Sequence, residues 1–245
     1  MGNFLSKRDD SAVRQYSVSY VSRISGWLLL IIFSASISLA LDKRLITPEL
    51  LSMARAAYGD KVQLILQDWA ELLRTSEPAQ EMQKLKRINQ YFNQRITFKS
   101  DSVHWQKEDY WATPIEALGT AGGDCEDYVI AKYFSLIQAG IKQEKLRITY
   151  VKALKLNQAH MVLAYYAQPK SEPLILDNLI DAIKPASQRP DLAPVYSFNG
   201  LGMWLERMRG NSIKMGDPNR LNMWMDLLLR MEEQGLKGWL HVPAK

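Results

Sequence analysis

Apolar residues fall into three kinds of run along the chain. Residues 24–41 carry no charge, with an apolar centre at 27–33 followed by the small-residue series Ser34-Ala35-Ser36-Ile37-Ser38-Leu39-Ala40. After Thr47-Pro48, an N-cap with proline at the first helical position, apolar residues recur at helical spacing. Leu50, Leu51, Ala54, Ala57 and Tyr58 mark one helix, and Val62, Ile65, Leu66, Trp69, Leu72 and Leu73 a second. A third starts near Ser76-Glu77-Pro78 and carries Met82, Leu85, Ile88 and Phe92. A polar, aromatic loop over 97–113 follows, holding His104, Trp105, Tyr110 and Trp111. A fourth helix begins after Gly122-Gly123, with Asp124 as N-cap, Asp127 completing a capping box and Gly140 as the stop. Its expected buried face is Val129, Ile130, Tyr133, Phe134 and Ile137. The period then changes to two, with β-branched segments at 146–154, 160–166 and 174–177. The C-terminal part returns to helix and loop, with Asp217-Pro218 capping a helix that bears Leu221, Trp224, Leu228 and Met231. Helices, then strands, then helix predict an α+β fold with an antiparallel sheet.

The first run reads as an address. Lys7, Arg8, Arg14 and Arg23 precede it, and Ser38-Leu39-Ala40 fits the small-x-small cleavage rule. Residues 1–40 are therefore expected to be a signal peptide, with an uncleaved membrane anchor and a buried core helix as the rival readings. Cleavage or anchoring both export the remainder, which predicts a periplasmic location. Residues 41–245 have a length that suits one domain, and no Gly/Ser/Pro linker divides them.

Charge and cysteine content narrow the function. The net charge is +5, but the basic residues do not cluster, so no nucleic-acid partner is expected. A single cysteine excludes an intrachain disulfide and a Cys-rich zinc module. In an oxidising compartment such a thiol gains no disulfide and is exposed to oxidation, so Cys125 should be either well buried or chemically used.

Cys125 falls in the first turn of the fourth helix, where free N–H groups and the helix dipole favour thiolate. Asp124, Glu126 and Asp127 oppose that unless they point elsewhere. His160 opens one predicted strand and Asp177 ends the next; the midpoint of the two positions lies in the intervening turn material, so an antiparallel hairpin brings them together. A carboxylate beside an imidazole fixes its tautomer and stabilises the imidazolium. A cysteine at a helix start facing this pair would be an acyl-transfer triad, Cys125, His160 and Asp177. The alternatives are an inert buried cysteine, a structural His–Asp surface pair, and zinc held by the same three residues.

Four blocks then resemble the bacterial transglutaminase-like cysteine proteinases. They are the segment from Asp109-Tyr110-Trp111 to Ile115-Glu116, Gly123-Asp124-Cys125-Glu126-Asp127-Tyr128, Ala159-His160-Met161-Val162-Leu163, and Leu176-Asp177-Asn178. The resemblance runs from about residue 90 to 204. It implies a papain-like, transglutaminase-type core, with the nucleophile at a helix start packed on the antiparallel sheet. It places the catalytic roles on Cys125, His160 and Asp177. It also implies calcium dependence, for which Asp124, Glu126 and Asp127 offer the hard oxygen donors; helix capping and solvated charge are the other reading of those acids. The implied substrate is the N-terminal region of a large repeat adhesin, cut at a dialanine site to disperse a biofilm. The implied partner is an inner-membrane cyclic di-GMP receptor of the LapD type. A transglutaminase passing the acyl group to an amine, and a non-catalytic binding module, are the rival functions on the same fold. The Cys125 N–H is the expected oxyanion donor, with the indole of Trp105 or Trp111 as a candidate second one.

Overall fold

Thr47 caps the first helix as its position predicts: its hydroxyl accepts the Leu50 N–H at 3.2 Å, and Pro48 opens α1 (Pro48–Tyr58). The computed structural model describes residues 46–207, 211–216 and 221–239. The expected leader, 1–40, and the expected Asp217-Pro218 cap lie outside these. Among the described residues no helix is long and apolar enough to cross a membrane. Helices α2 (Lys61–Ser76) and α3 (Glu81–Arg95) follow, so the third helix starts later than Ser76, which closes the second. The aromatic loop contains more order than its polarity suggests: β1 (Thr97–Phe98), α4 (Asp101–His104) and, beyond it, the capped helix α5 (Pro114–Thr120). Then β2 (Gly122–Gly123) pairs in parallel with β1.

Helix α6 (Cys125–Gln138) is the centre of the domain. Every residue from 127 to 136 is buried, not only one apolar face. Its polar positions are therefore matched or enclosed by neighbours. Trp69 of α2 donates its indole N–H to Ser135 at 3.0 Å, and Lys84 of α3 donates to the Ala139 carbonyl beyond the helix end at 2.6 Å. Phe92 of α3 is fully buried. Its truncation to alanine should cost about 3–5 kcal/mol.

The sheet has seven antiparallel strands in the order β6-β5-β4-β3-β7-β8-β9. These are β3 (Leu146–Ala153), β4 (Gln158–Tyr165), β5 (Leu174–Leu176), β6 (Lys184–Pro185), β7 (Leu192–Asn199), β8 (Gly202–Arg207) and β9 (Asn211–Gly216). The pattern at 146–154, 160–166 and 174–177 found three of them. Expecting only helix and loop after residue 177 is corrected by β6 to β9. Pro194 masks β7: it sits beside the register shift between Tyr150 and Val151, where a bulge accommodates a residue without an N–H.

The last helix, α7 (Asn222–Glu233), buries Trp224, Leu227 and Met231, with Leu228 only half-buried. Trp224 stacks on Phe134 with ring centres 5.8 Å apart and meets Phe198 edge-on at 5.4 Å. Arg230 reaches from α7 to Glu116 at 2.5 Å and to the Trp111 carbonyl at 2.6 Å, which fixes the segment leading into the site.

Candidate active site

The turn before α6 is tied down by one carboxylate. Asp127 accepts the Asp124 N–H at 3.2 Å and the Ala112 N–H at 2.7 Å. Gly123 lies against it so closely that a Cβ there would run into the carboxylate. The predicted capping relation between 124 and 127 thus exists, and it also links the turn to the 109–113 segment.

Cys125 is the first residue of α6 and is half-buried. Its thiol donates to Glu126 Oε2 at 3.0 Å. Met161, the residue after His160, is near enough for its backbone to act on the same thiol. Burial pushes the thiol pKa well up, and the charges of Glu126 and Asp124 push it further, against the lowering effect of Met161. Burial and the acids together outweigh the lowering influence of the Met161 backbone.

His160 sits in β4 opposite Val151 and is buried. Its Nε2 lies 2.8 Å from Asp177 Oδ1. The partnership follows a different register from the one expected. Leu163 pairs with Leu176, so continuing the ladder sets Asp177 opposite Val162, two residues from His160 on the same side of β4. The side chains therefore meet diagonally, within the reach of long side chains. Asp177 also accepts the Leu179 N–H on Oδ1 at 3.0 Å and Arg189 Nη2 on Oδ2 at 2.8 Å. Burial works to raise its pKa, but His160, Leu179 and Arg189 outweigh it and hold the carboxyl at about 2. Both His160 and Asp177 are inaccessible, which rules out a surface pair. Of the other histidines, His104 bonds Thr120 at 2.9 Å, and His241 is outside the described residues. Trp111 is buried against Phe198, while the buried indole N–H of Trp105 makes no hydrogen bond.

The acids form a larger group than the sequence pointed to. Asp101 and Asp109 join Asp124, Glu126 and Asp127. Ligand atoms lie within 4.8 Å of one another in each of three overlapping trios: Asp124 with Cys125 and Glu126, Asp101 with Asp124 and Asp127, and Asp101 with Asp109 and Glu126. Burial, then neighbouring acids, raises Asp124 to about 8 and Asp101 to about 6, and lifts Asp127 well above its ordinary value. Asp101 Oδ1 and Asp124 Oδ1 are buried without a hydrogen bond. Asp101, Asp109 and Arg189 had not been singled out. Asp109 opens a block already noticed; no spacing marks the other two, because the fold alone brings them in.

Residues 67–191 match the family described as bacterial transglutaminase-like cysteine proteinase BTLCP, and the chain belongs to that family. Solved structures of LapG from Legionella pneumophila share its fold at 40% identity. An EGTA-treated form covers 76% of this chain and 97% of its own, with a TM-score of 0.66. A calcium-bound form covers 76% and 99%, with a TM-score of 0.65. A comparison with curated proteins gives no match.

Proposed function

We propose that this cysteine proteinase uses Cys125, His160 and Asp177 to hydrolyse a peptide bond near the N-terminus of a large surface adhesin. The observation that carries the reading is the buried His160–Asp177 pair, joined at 2.8 Å, on the strand whose next residue, Met161, acts through its backbone on the thiol of Cys125, the half-buried first residue of α6. Asp177 engages Nε2, which leaves Nδ1 of His160 to take the thiol proton. The Cys125 sulfur then bonds to the scissile carbonyl carbon, and the carbonyl electron pair moves to oxygen, toward the Cys125 N–H. Collapse of this adduct expels the amine, which takes the proton from His160. Water, deprotonated by His160, cleaves the thioester and regenerates the thiol. Asp177 keeps the imidazole in the required tautomer throughout.

Calcium fits the acid group beside the nucleophile. The donors of Asp101, Asp109, Asp124, Glu126 and Asp127 are all hard oxygens, and two of their buried oxygens have no protein partner. The calcium-bound relative supports calcium as the ion. When bound, the ion supplies positive charge that offsets the acids' repulsion of the thiolate. These residues would hold it, and Asp127 keeps the turn in place.

The biological reading keeps the export segment 1–40, a periplasmic location, cleavage at a dialanine site, and sequestration by an inner-membrane cyclic di-GMP receptor of the LapD type. Release of the adhesin then disperses a biofilm. Incubation with an adhesin N-terminal fragment tests it: two shorter products are expected with calcium, and none with Cys125→Ala. A heavier adduct formed with a lysine amine would mean transglutamination instead.

A further inference from the structure

Asp177 meets more positive charge than the histidine alone provides. Arg189, which follows the turn Ala186–Gln188, is itself buried and places Nη2 on Asp177 Oδ2 at 2.8 Å. The same guanidinium holds Asp191, from Nε at 3.0 Å and from Nη2 at 2.8 Å. Asp191 keeps 28% of its side chain exposed. Lys132 of α6 adds its charge to the surroundings of Asp177 and of Asp181 in the following loop, without a hydrogen bond from its Nζ. The charged groups facing Asp177 are therefore His160 from β4, Lys132 from α6 and Arg189, with Asp181 and Asp191 beyond them.

We propose that Arg189 is a positioning residue for the hydrolysis, acting through Asp177, and that Asp191 sets how much of its charge reaches His160. Two effects follow from the geometry. Asp191 grips the guanidinium through Nε and Nη2 and so sets its plane, and Nη2 from that fixed plane occupies Oδ2 of Asp177 and leaves Oδ1 facing the imidazole. By its charge it also weakens the hold of Asp177 on the imidazolium. That matters because His160 must both accept the thiol proton and surrender it to the leaving amine, and a group held too firmly in its charged form is a poor acid. Asp191, on the far side of the guanidinium, returns part of the negative field. His160, Asp177, Arg189 and Asp191 thus form one hydrogen-bonded chain.

The inference rests on the assignment of His160 and Asp177 as a catalytic pair, and its test is separable from that assignment. The ring nitrogens of His160 can be titrated by NMR in the calcium-loaded protein. Arg189→Met should raise the His160 pKa by about one pH unit, and Asp191→Asn should lower it by roughly half as much. A residue that only supports the fold would not give shifts of opposite sign. On a peptide spanning an Ala–Ala pair, Arg189→Met should lower kcat about tenfold with KM unchanged. Arg189→Lys should keep the His160 titration near that of the parent while still losing kcat, because a single ammonium cannot be held by Asp191 through two nitrogens while it also caps Oδ2 of Asp177. If Arg189→Met does not fold, the sign of the Asp191→Asn shift decides alone, since that side chain is partly exposed. Unmoved titrations, or shifts of the same sign, would overturn the proposal. Cleavage that survives Cys125→Ala would instead overturn the protease reading and leave the titration result standing.

Discussion

Around Asp177 each carboxylate oxygen meets a donor: His160 and Leu179 on one, Arg189 on the other. Around Cys125 the acids Asp101, Asp109, Asp124 and Glu126 crowd together, and among the described residues none of them forms an ion pair with a basic side chain. One half of the site is electrostatically complete once the chain has folded. The other half is folded but carries acids at close range, and burial together with those acids favours the thiol form of Cys125. The contrast teaches where control would lie under the proposed function: folding alone would prepare His160 and Asp177, whereas Cys125 would wait on a cation.

The strongest way to break the comparison is to remove either half's reacting atom. Cys125→Ala and His160→Ala should each lower turnover by about 10⁴-fold or more, because the residues act as a unit. Thermal unfolding of Cys125→Ala should stay close to that of the parent, since the thiol is half-buried and little volume is lost.

Removing the cation comes next. A calcium-selective chelator should stop cleavage of the adhesin fragment, and added calcium should restore it where magnesium does not. Magnesium demands a smaller, near-octahedral shell and sheds water reluctantly. Asp124→Asn and Glu126→Gln should raise the calcium concentration needed for half-maximal rate. If chelation leaves the rate unchanged and calorimetry detects no calcium binding, the acids serve only capping and packing.

The two halves should also respond to pH with opposite sign. Asp101 and Asp124 hold protons in the folded state up to about 6 and about 8, protons that the unfolded chain releases near 4. Their contribution is present at low pH and is lost as pH rises from about 4 to 8. Asp177, held at about 2, contributes stability that is present above about pH 4 and lost as pH falls through 2. Melting curves in chelator should therefore fall between pH 5 and pH 8. Calcium at a hundred times its Kd should restore about 2.7 kcal/mol, roughly 5–10 °C, with the larger gap at high pH. Parallel curves with and without calcium would count against the cluster.

Lys132 offers the smallest effect. Burial lowers its pKa to about 7, against the raising influence of Asp177 and Asp181, and its Nζ has no hydrogen bond. Lys132→Met should stabilise the protein at neutral pH by about 2 kcal/mol, by removing the need to bury or neutralise an ammonium. A lower midpoint of chemical unfolding would show instead that Lys132 is needed by Asp177.

Local signals were legible and distant ones were not. Thr47-Pro48, the 124–127 cap and the helical stripes state their structure within a few residues, and the structure follows them. The hairpin argument brought His160 and Asp177 together even though the register it used was two residues off, because side chains on one face of a sheet meet diagonally as well as directly. β7 was hidden by Pro194 and its bulge. β8 and β9 were hidden by Gly202, Lys214 and Gly216, residues that weaken a strand pattern at a sheet edge. Arg189 and Asp101 had no local signature, because each acquires its role from elements distant in sequence. The family blocks drew attention to the Cys125 turn, but the acid group at full size needed the fold.

Because the chain contains a single cysteine, alkylation by iodoacetamide reports on Cys125 alone. Its rate against pH, with calcium and with chelator, tests most directly the claim that the acid half must be neutralised before the nucleophile reacts. Calcium should move the rising limb of the profile at least about one pH unit lower, since a divalent charge close to a buried thiolate is worth more than a tenfold change in its ionisation. Two coincident profiles, with calcium binding shown independently, would contradict the account.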